Sequence, residues 1–411
     1  MPKTLQSFRS VITGPVIVLF LISFIVPFSA FMLYPFLIIY FTHVLHYHPW
    51  QAGLLLSVRF LASGIFGFTG GLVSQRLGNL RTYIISGLLS AAAIVALAFT
   101  HKPATIVMTL AILGLAASTV NAMARGLANE LVKDEYRGVI QNYIHWLNNI
   151  GMAAALPLSA LLLGGGYSRA PYFFAAAGYA LAAGALAMTV GRSRSRSPEP
   201  ALRMSQSPSS MKPWQILQHD RAFSWLLLSF ALVVIVEMQF ESGVPLDLSF
   251  HFAHGAKLYG VLGAIDMILV FSLQLLVAHF LDKHPNSWSG SVGMFLLSGL
   301  VIGAIWQTVL GWSIAIILLS VGDVFAFGQI FSLMGVLPKS GQHGLYFSLL
   351  GMVQGFGTFV AYALGGIGYE ILHPFGMFML TIPLTILAVF SYRNAFRLGT
   401  ASQEERMITT G

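Results

Sequence analysis

ALVVIVEMQFESGVP, residues 231–245, decides the class of this chain. Apolar side chains dominate it, yet it holds two acids, Glu237 and Glu241. The run around it, 223–249, is long enough as a helix to cross the hydrocarbon core of a bilayer, about 30 Å at roughly 1.5 Å per residue. A carboxylate in hydrocarbon costs about 3 kcal/mol on insertion scales. Two of them four residues apart therefore need a physical reason.

The rest of the 411-residue chain repeats the pattern. It is 56% hydrophobic and 9% charged, with mean hydropathy +0.77. Soluble domains carry about 25% charged residues, so a chain this apolar belongs in a membrane. Stretches long enough to span recur at 15–41, 51–74, 82–100, 105–127, 138–163 and 171–190, then at 223–249, 258–281, 290–310, 313–337, 344–371 and 376–392. Spans of this length predict helices and not a barrel. Their Gly and Ala content suits close helix packing in lipid. The expected fold class is an all-α integral membrane protein with twelve transmembrane helices in two six-helix, pseudo-symmetric halves. The halves are 1–190 and 223–411, the second with a short cytoplasmic tail, and 191–222 links them.

That link, GRSRSRSPEPALRMSQSPSSMKPWQILQHDRA, is rich in Ser, Pro and Arg and reads as a solvated cytoplasmic linker and not as an RNA-binding run. Basic residues set the orientation. With both termini cytoplasmic, eighteen Lys and Arg fall on the inner side and only Lys102, Arg169 and Lys257 on the outer side, while Arg59 lies within a span. The net charge of +8 is thus topological and implies no nucleic-acid partner. The N-terminal apolar stretch is too long for a signal-peptide core, so a multi-pass inner-membrane protein with no cleaved leader is expected. There are no cysteines, which excludes disulfides, thiolate metal sites and a cysteine nucleophile.

The halves echo each other. YRGVIQNYIHWLNNIGMAA opens the fifth span and QHGLYFSLLGMVQGFGTFV the eleventh. Arg137-Gly138 matches His343-Gly344, and Gly151 matches Gly357 at the same offset. Matching positions in a six-plus-six layout point to duplicated halves.

GGLVSQRLGNLR, residues 70–81, lies between the second and third spans. It resembles the loop signature of the major facilitator superfamily. Gly71, Arg76, Gly78 and Arg81 fit that pattern, Gln75 stands at its acidic position and Asn79 replaces a usual base. ANELVKDEYRGVIQNYIHWLNNIG, from Ala128, and VGDVFAFGQ in the tenth span resemble the twelve-span drug:proton antiporter family. Leu156-Pro157, followed by Ala160, stands where that family carries Gly-Pro with flanking glycines. The resemblance covers essentially the whole chain and implies a proton-coupled exporter. On physical grounds the glycines of the loop let helices pack closely, and Arg76 and Arg81 can bind carbonyls at a helix C-terminus. The loop, Gln75 included, is expected to gate transport, or its arginines only set topology.

Glu237 and Glu241 share a helix face. Asp266 lies in the eighth span and Asp323 near the middle of the tenth. Two adjacent buried carboxylates resist being ionised together, so one holds a proton in a dry site and releases it to water. These four acids are the candidate proton-coupling residues; the alternative is that they only bind neighbouring backbone. Arg59 lies about two turns into the second span, by the rise of a helix. It suits one of these acids or an anionic or chelating solute such as a siderophore, or else it snorkels to the surface. Pro27 and Pro35 loosen the first span, where Tyr34 is a candidate to line a cavity. Gln141, His145 and Asn148 or Asn149 form a polar stripe on the fifth span, with Gln354 near its counterpart on the eleventh. Arg59, Tyr34, His145, Asn148 and Gln354 are the candidate substrate contacts, and helix–helix hydrogen bonding is the competing role for each. His145 has no ligand-spaced partner for a metal.

No phosphate-binding Gly-x-x-x-x-Gly-Lys-Ser/Thr loop is present, and no motif for bond-making chemistry. The expectation is therefore not an enzyme, with no cofactor and no metal. It is a monomeric proton-coupled antiporter that exports a small organic molecule, whether drug-like compound, metabolite or siderophore. A proton symporter importing a metabolite is the alternative on the same fold, and a non-transporting receptor or assembly factor the alternative from another class.

Overall fold

The computed structural model describes residues 13–66, 69–132, 136–163, 169–194, 217–218, 220–283, 287–337 and 343–410. Among them all regular structure is helical. The helices are α1 (Gly14–Phe31), α2 (Tyr34–His43), α3 (Pro49–Phe66), α4 (Thr69–Leu77), α5 (Asn79–Ala98), α6 (Pro103–Leu131), α7 (Arg137–Leu163) and α8 (Ala170–Arg194). They continue with α9 (Arg221–Glu237), α10 (Gln239–His251), α11 (Gly255–Lys283), α12 (Ser287–Leu296), α13 (Leu300–Trp306), α14 (Val309–Val336), α15 (His343–Met379) and α16 (Thr381–Thr410). Nine helices or collinear helix pairs among the described residues are long and apolar enough to cross a membrane. The other expected spans are helical too, as α3 with α4, as α7, and as α16. The eleventh and twelfth spans part at His373, where φ is +58° just before Pro374, within the expected gap between 371 and 376, and the chain breaks once more at Leu380 before α16.

Two compact units emerge. One comprises Met1–His46, Val58–Met204 and Ala256–Ala264; the other comprises Tyr47–Ser57, Ser205–Gly255 and Ile265–Gly411. In the first, α1 packs on α7 and α8, and α5 on α6 and α8. In the second, α9 packs on α15 and α16, and α14 on α12 and α13.

The first span of each group is broken in the middle. The first pauses at Met32–Leu33 and the seventh at Met238. Backbone carbonyls freed at such breaks need donors when no water is near. Ser159 Oγ donates to Met32 O at 2.6 Å, and Gln239 Nε2 donates to Ile235 O at 3.2 Å and to Ala361 O at 3.1 Å. Pro27 lacks the N–H that would bond Ser23 O four residues back. The Asn148 amide, turned to donate, reaches that carbonyl and ties α7 to α1.

The internal echo has a packing counterpart. A side chain on Gly151 would run into Phe24 of α1, and one on Gly357 into Val234 of α9. The fifth span thus leans on the first as the eleventh leans on the seventh.

Candidate functional site

The second unit gathers the predicted acids. Glu237 is the last residue of α9 and Glu241 stands in the first turn of α10. Glu237 lies within electrostatic reach of Asp323, Glu241 and Asp266, strongest first, and Asp323 within reach of Asp266. Four carboxylates from α9, α10, α11 and α14 therefore form one group. Ser320 Oγ donates to Asp266 Oδ1 at 2.6 Å, and the Tyr362 hydroxyl donates to Glu241 Oε2 at 3.1 Å. Among the described residues no Lys, Arg or His acts on Glu237, Asp266 or Asp323. No three His, Asp or Glu side chains there stand close enough to hold a metal ion. Like charges in a low dielectric repel strongly, so Glu237, Asp266 and Asp323, on which no basic group acts among the described residues, become neutral by binding protons or a cation.

In the first unit Arg59 lies ten residues along α3, roughly 15 Å from its start at 1.5 Å per residue. That is deeper than two turns. Its guanidinium carbon sits 3.4 Å from the centroid of the Tyr34 ring and 4.8 Å from that of Phe60. Among the described residues it pairs with none of the acids. Its Nε is shut from solvent with no acceptor. The Arg59 backbone carbonyl occupies the place of a side chain at Gly114 on α6, which fixes α3 against that helix. Charge at mid-span costs about 2.5–3.5 kcal/mol, and a desolvated cation–π contact returns about 2 kcal/mol. The Tyr34 hydroxyl lies 3.4 Å from that of Tyr179.

The loop of the second and third spans is shaped by Gly78, whose φ of +80° and ψ of 155° suit glycine alone. A side chain there would meet open space, so the need for glycine is conformational; the expected packing role does not hold at this position. Close packing falls instead on Gly70, beside Thr119. Gly71 and Gln75 lie on α4, but the Gln75 side chain is outside the described residues. Arg76 and Arg81 are exposed. Asn79, at a position usually basic in the family pattern, donates to Glu130 Oε1 at 2.6 Å and joins the loop to the end of α6.

The remaining candidates separate. Asn148 is tied to the α1 backbone, Gln354 is exposed on α15, and the His145 side chain lies outside the described residues. Sequence reading missed Asp247. It is fully buried, with Oδ1 at 3.0 Å from His251 Nδ1 and 3.4 Å from Gln307 Nε2, and Oδ2 has no hydrogen-bond partner among the described residues. The acid-to-His spacing of four in DLSFH was the available signal. It also missed the exposed contact of His48 Nδ1 with Glu370 Oε1 at 3.1 Å.

The sequence profile of the Major Facilitator Superfamily matches residues 19–361. The chain belongs to the major facilitator superfamily. Over 383 residues it is 24% identical to the uncharacterized MFS-type transporter YqjV of Bacillus subtilis (strain 168), covering 91% of this chain and 92% of that one. Its fold is similar to that of the nucleoside transporter NupG, with TM-score 0.73 and 14% identity over 93% of this chain and 99% of that one. It is also similar to a POT family transporter in complex with 5-aminolevulinic acid, with TM-score 0.73 and 12% identity over 94% and 96%. This major facilitator protein is a multi-pass secondary transporter of a small molecule and not an enzyme.

Proposed function

We propose that this chain is a proton-coupled transporter that exports a small organic molecule by alternating access. The observation that carries the reading is the group of Glu237, Glu241, Asp266 and Asp323, with no basic group acting on Glu237, Asp266 or Asp323 among the described residues. Protons are the natural neutralising partner, and a group that is protonated when dry and ionised when wet carries them across. The breaks beside Glu237 and Tyr34 provide hinges for such a cycle. Arg59 and Tyr34, in the first unit, are the substrate contacts of this reading. Gly71, Gln75, Arg76, Gly78 and Arg81 form the gate.

In this reading the chain is a monomer of the inner membrane, with halves 1–190 and 223–411 and a cytoplasmic linker 191–222. The likeness of the loop and the fifth and tenth spans to drug:proton antiporters supports export. Leu156-Pro157, in place of the antiporter Gly-Pro, favours the second reading, import by symport.

Metabolite accumulation and toxin sensitivity in a strain lacking the chain would supply the solute. Proteoliposomes with imposed pH gradients of each sign then test the mechanism. Accumulation of solute on the side from which protons leave supports antiport, and accumulation on the side they enter supports symport. Accumulation unaffected by either gradient would overturn proton coupling.

A further inference from the structure

We propose that the solute carries an anionic group and that the edge of the Arg59 guanidinium receives it, with the Tyr83 hydroxyl as a second donor. This rests on the transport reading and names its substrate class.

The Arg59 guanidinium carbon lies over the Tyr34 ring, 3.4 Å from its centroid. Stacking uses the face of the guanidinium and leaves its edge, where the N–H donors point. Among the described residues those donors meet no carboxylate, and the buried Nε meets no acceptor at all. An arginine kept for structure in a membrane span is ordinarily paired with an acid or with backbone carbonyls. Arg59 has neither among these residues.

A second, independent vacancy lies within electrostatic reach of Tyr179. The Tyr83 hydroxyl is buried, its residue 1% exposed, and it too lacks a hydrogen-bond partner among the described residues. Tyr179, whose hydroxyl meets that of Tyr34, lies within electrostatic reach of both Arg59 and Tyr83. Four helices, α2, α3, α5 and α8, thus bring one unpaired cation and one unused hydroxyl to the same neighbourhood. Donors arranged along a fork suit the paired oxygens of a carboxylate, sulfonate or phosphate. A neutral or cationic group would leave the guanidinium uncompensated.

Binding to the purified full-length protein in lipid nanodiscs, with no gradient present, tests this. The probes are benzoate, benzenesulfonate and phenyl phosphate, against benzamide and benzylamine. At least one anion is expected to bind about tenfold more tightly than benzamide, the scale of a charge-assisted pair, and the preferred anion identifies the head group. Arg59→Gln should reduce that preference to less than about twofold, and Arg59→Lys, which keeps charge but loses the fork, should retain only part of it. Tyr83→Phe should weaken the anion by about threefold and leave benzamide unchanged, as expected for one hydrogen bond. Equal binding of the anions and benzamide would overturn the proposal. So would full anion preference in a folded Arg59→Gln protein, or, if that variant fails to fold, in both Arg59→Lys and Tyr83→Phe. Because no gradient is used, a defect in proton coupling cannot mimic this failure. Solute accumulation without anion preference would leave the transport reading standing and remove only this one.

Discussion

Glu237 closes α9 and Glu241 stands in the first turn of α10, with Met238 as the joint between them. The helix dipole acts on them in opposite senses. It disfavours negative charge at a C-terminus and favours it in a first turn. The two acids of one short stretch are thereby made unequal by the break, and Glu237, which also faces Asp323 and Asp266, is the one expected to carry the proton.

Glu237→Gln keeps shape and hydrogen bonding but cannot titrate. It should reduce gradient-driven accumulation at least about tenfold while downhill exchange of solute survives, since coupling and not binding is lost. Glu241→Gln should do less. The ratio of accumulation to counterflow in proteoliposomes measures this, and a full gradient built by Glu237→Gln would shift the role to Asp323 and Asp266.

Gly78 has a backbone conformation with φ of +80°. The backbone there is in a region that only glycine visits freely, and nothing lies near a substituted side chain. Gly78→Ala and Gly78→Leu should each cost about 1–3 kcal/mol, and by similar amounts. Thermal unfolding in detergent compares them. A much larger loss for leucine would mean that packing and not conformation selects glycine.

Asn79 and Glu130 form a pair suited to a double-mutant cycle. Asn79→Asp sets a second carboxylate against Glu130 and should destabilise the loop by about 1–3 kcal/mol. Adding Glu130→Gln restores a donor to the pair and should recover most of that loss. Strictly additive effects would show that the 2.6 Å contact contributes nothing.

Asp247 is buried with one oxygen already unpartnered. His251→Ala removes one of the two contacts to Oδ1 and should cost about 1–3 kcal/mol. Asp247→Asn in the same background removes the stranded charge and should return part of it. The same melting assay reads both, and a neutral His251→Ala would discard the pair as a structural element.

For topology, a reporter enzyme active only outside the cell, fused within 191–222, should be silent given the placement of basic residues. Strong activity there would invert the orientation proposed for both termini.

Twelve spans, the loosening of the first span by Pro27 and Pro35, and the Glu237/Glu241 pair were all legible in the sequence. The bilayer acts as a solvent that tests each run of about 20 residues separately, so such features are written locally. Tertiary structure alone decided that Asp266 and Asp323 join the glutamates, that Asn148 serves a carbonyl freed by Pro27, and that Arg59 rests on Tyr34 with no acid beside it among the described residues. It also hid Asp247 behind Gln307, 60 residues further along the chain. These depend on which helix faces meet. In lipid that choice is made by packing shape and interhelical hydrogen bonds and not by hydropathy, since one apolar face is as soluble as another.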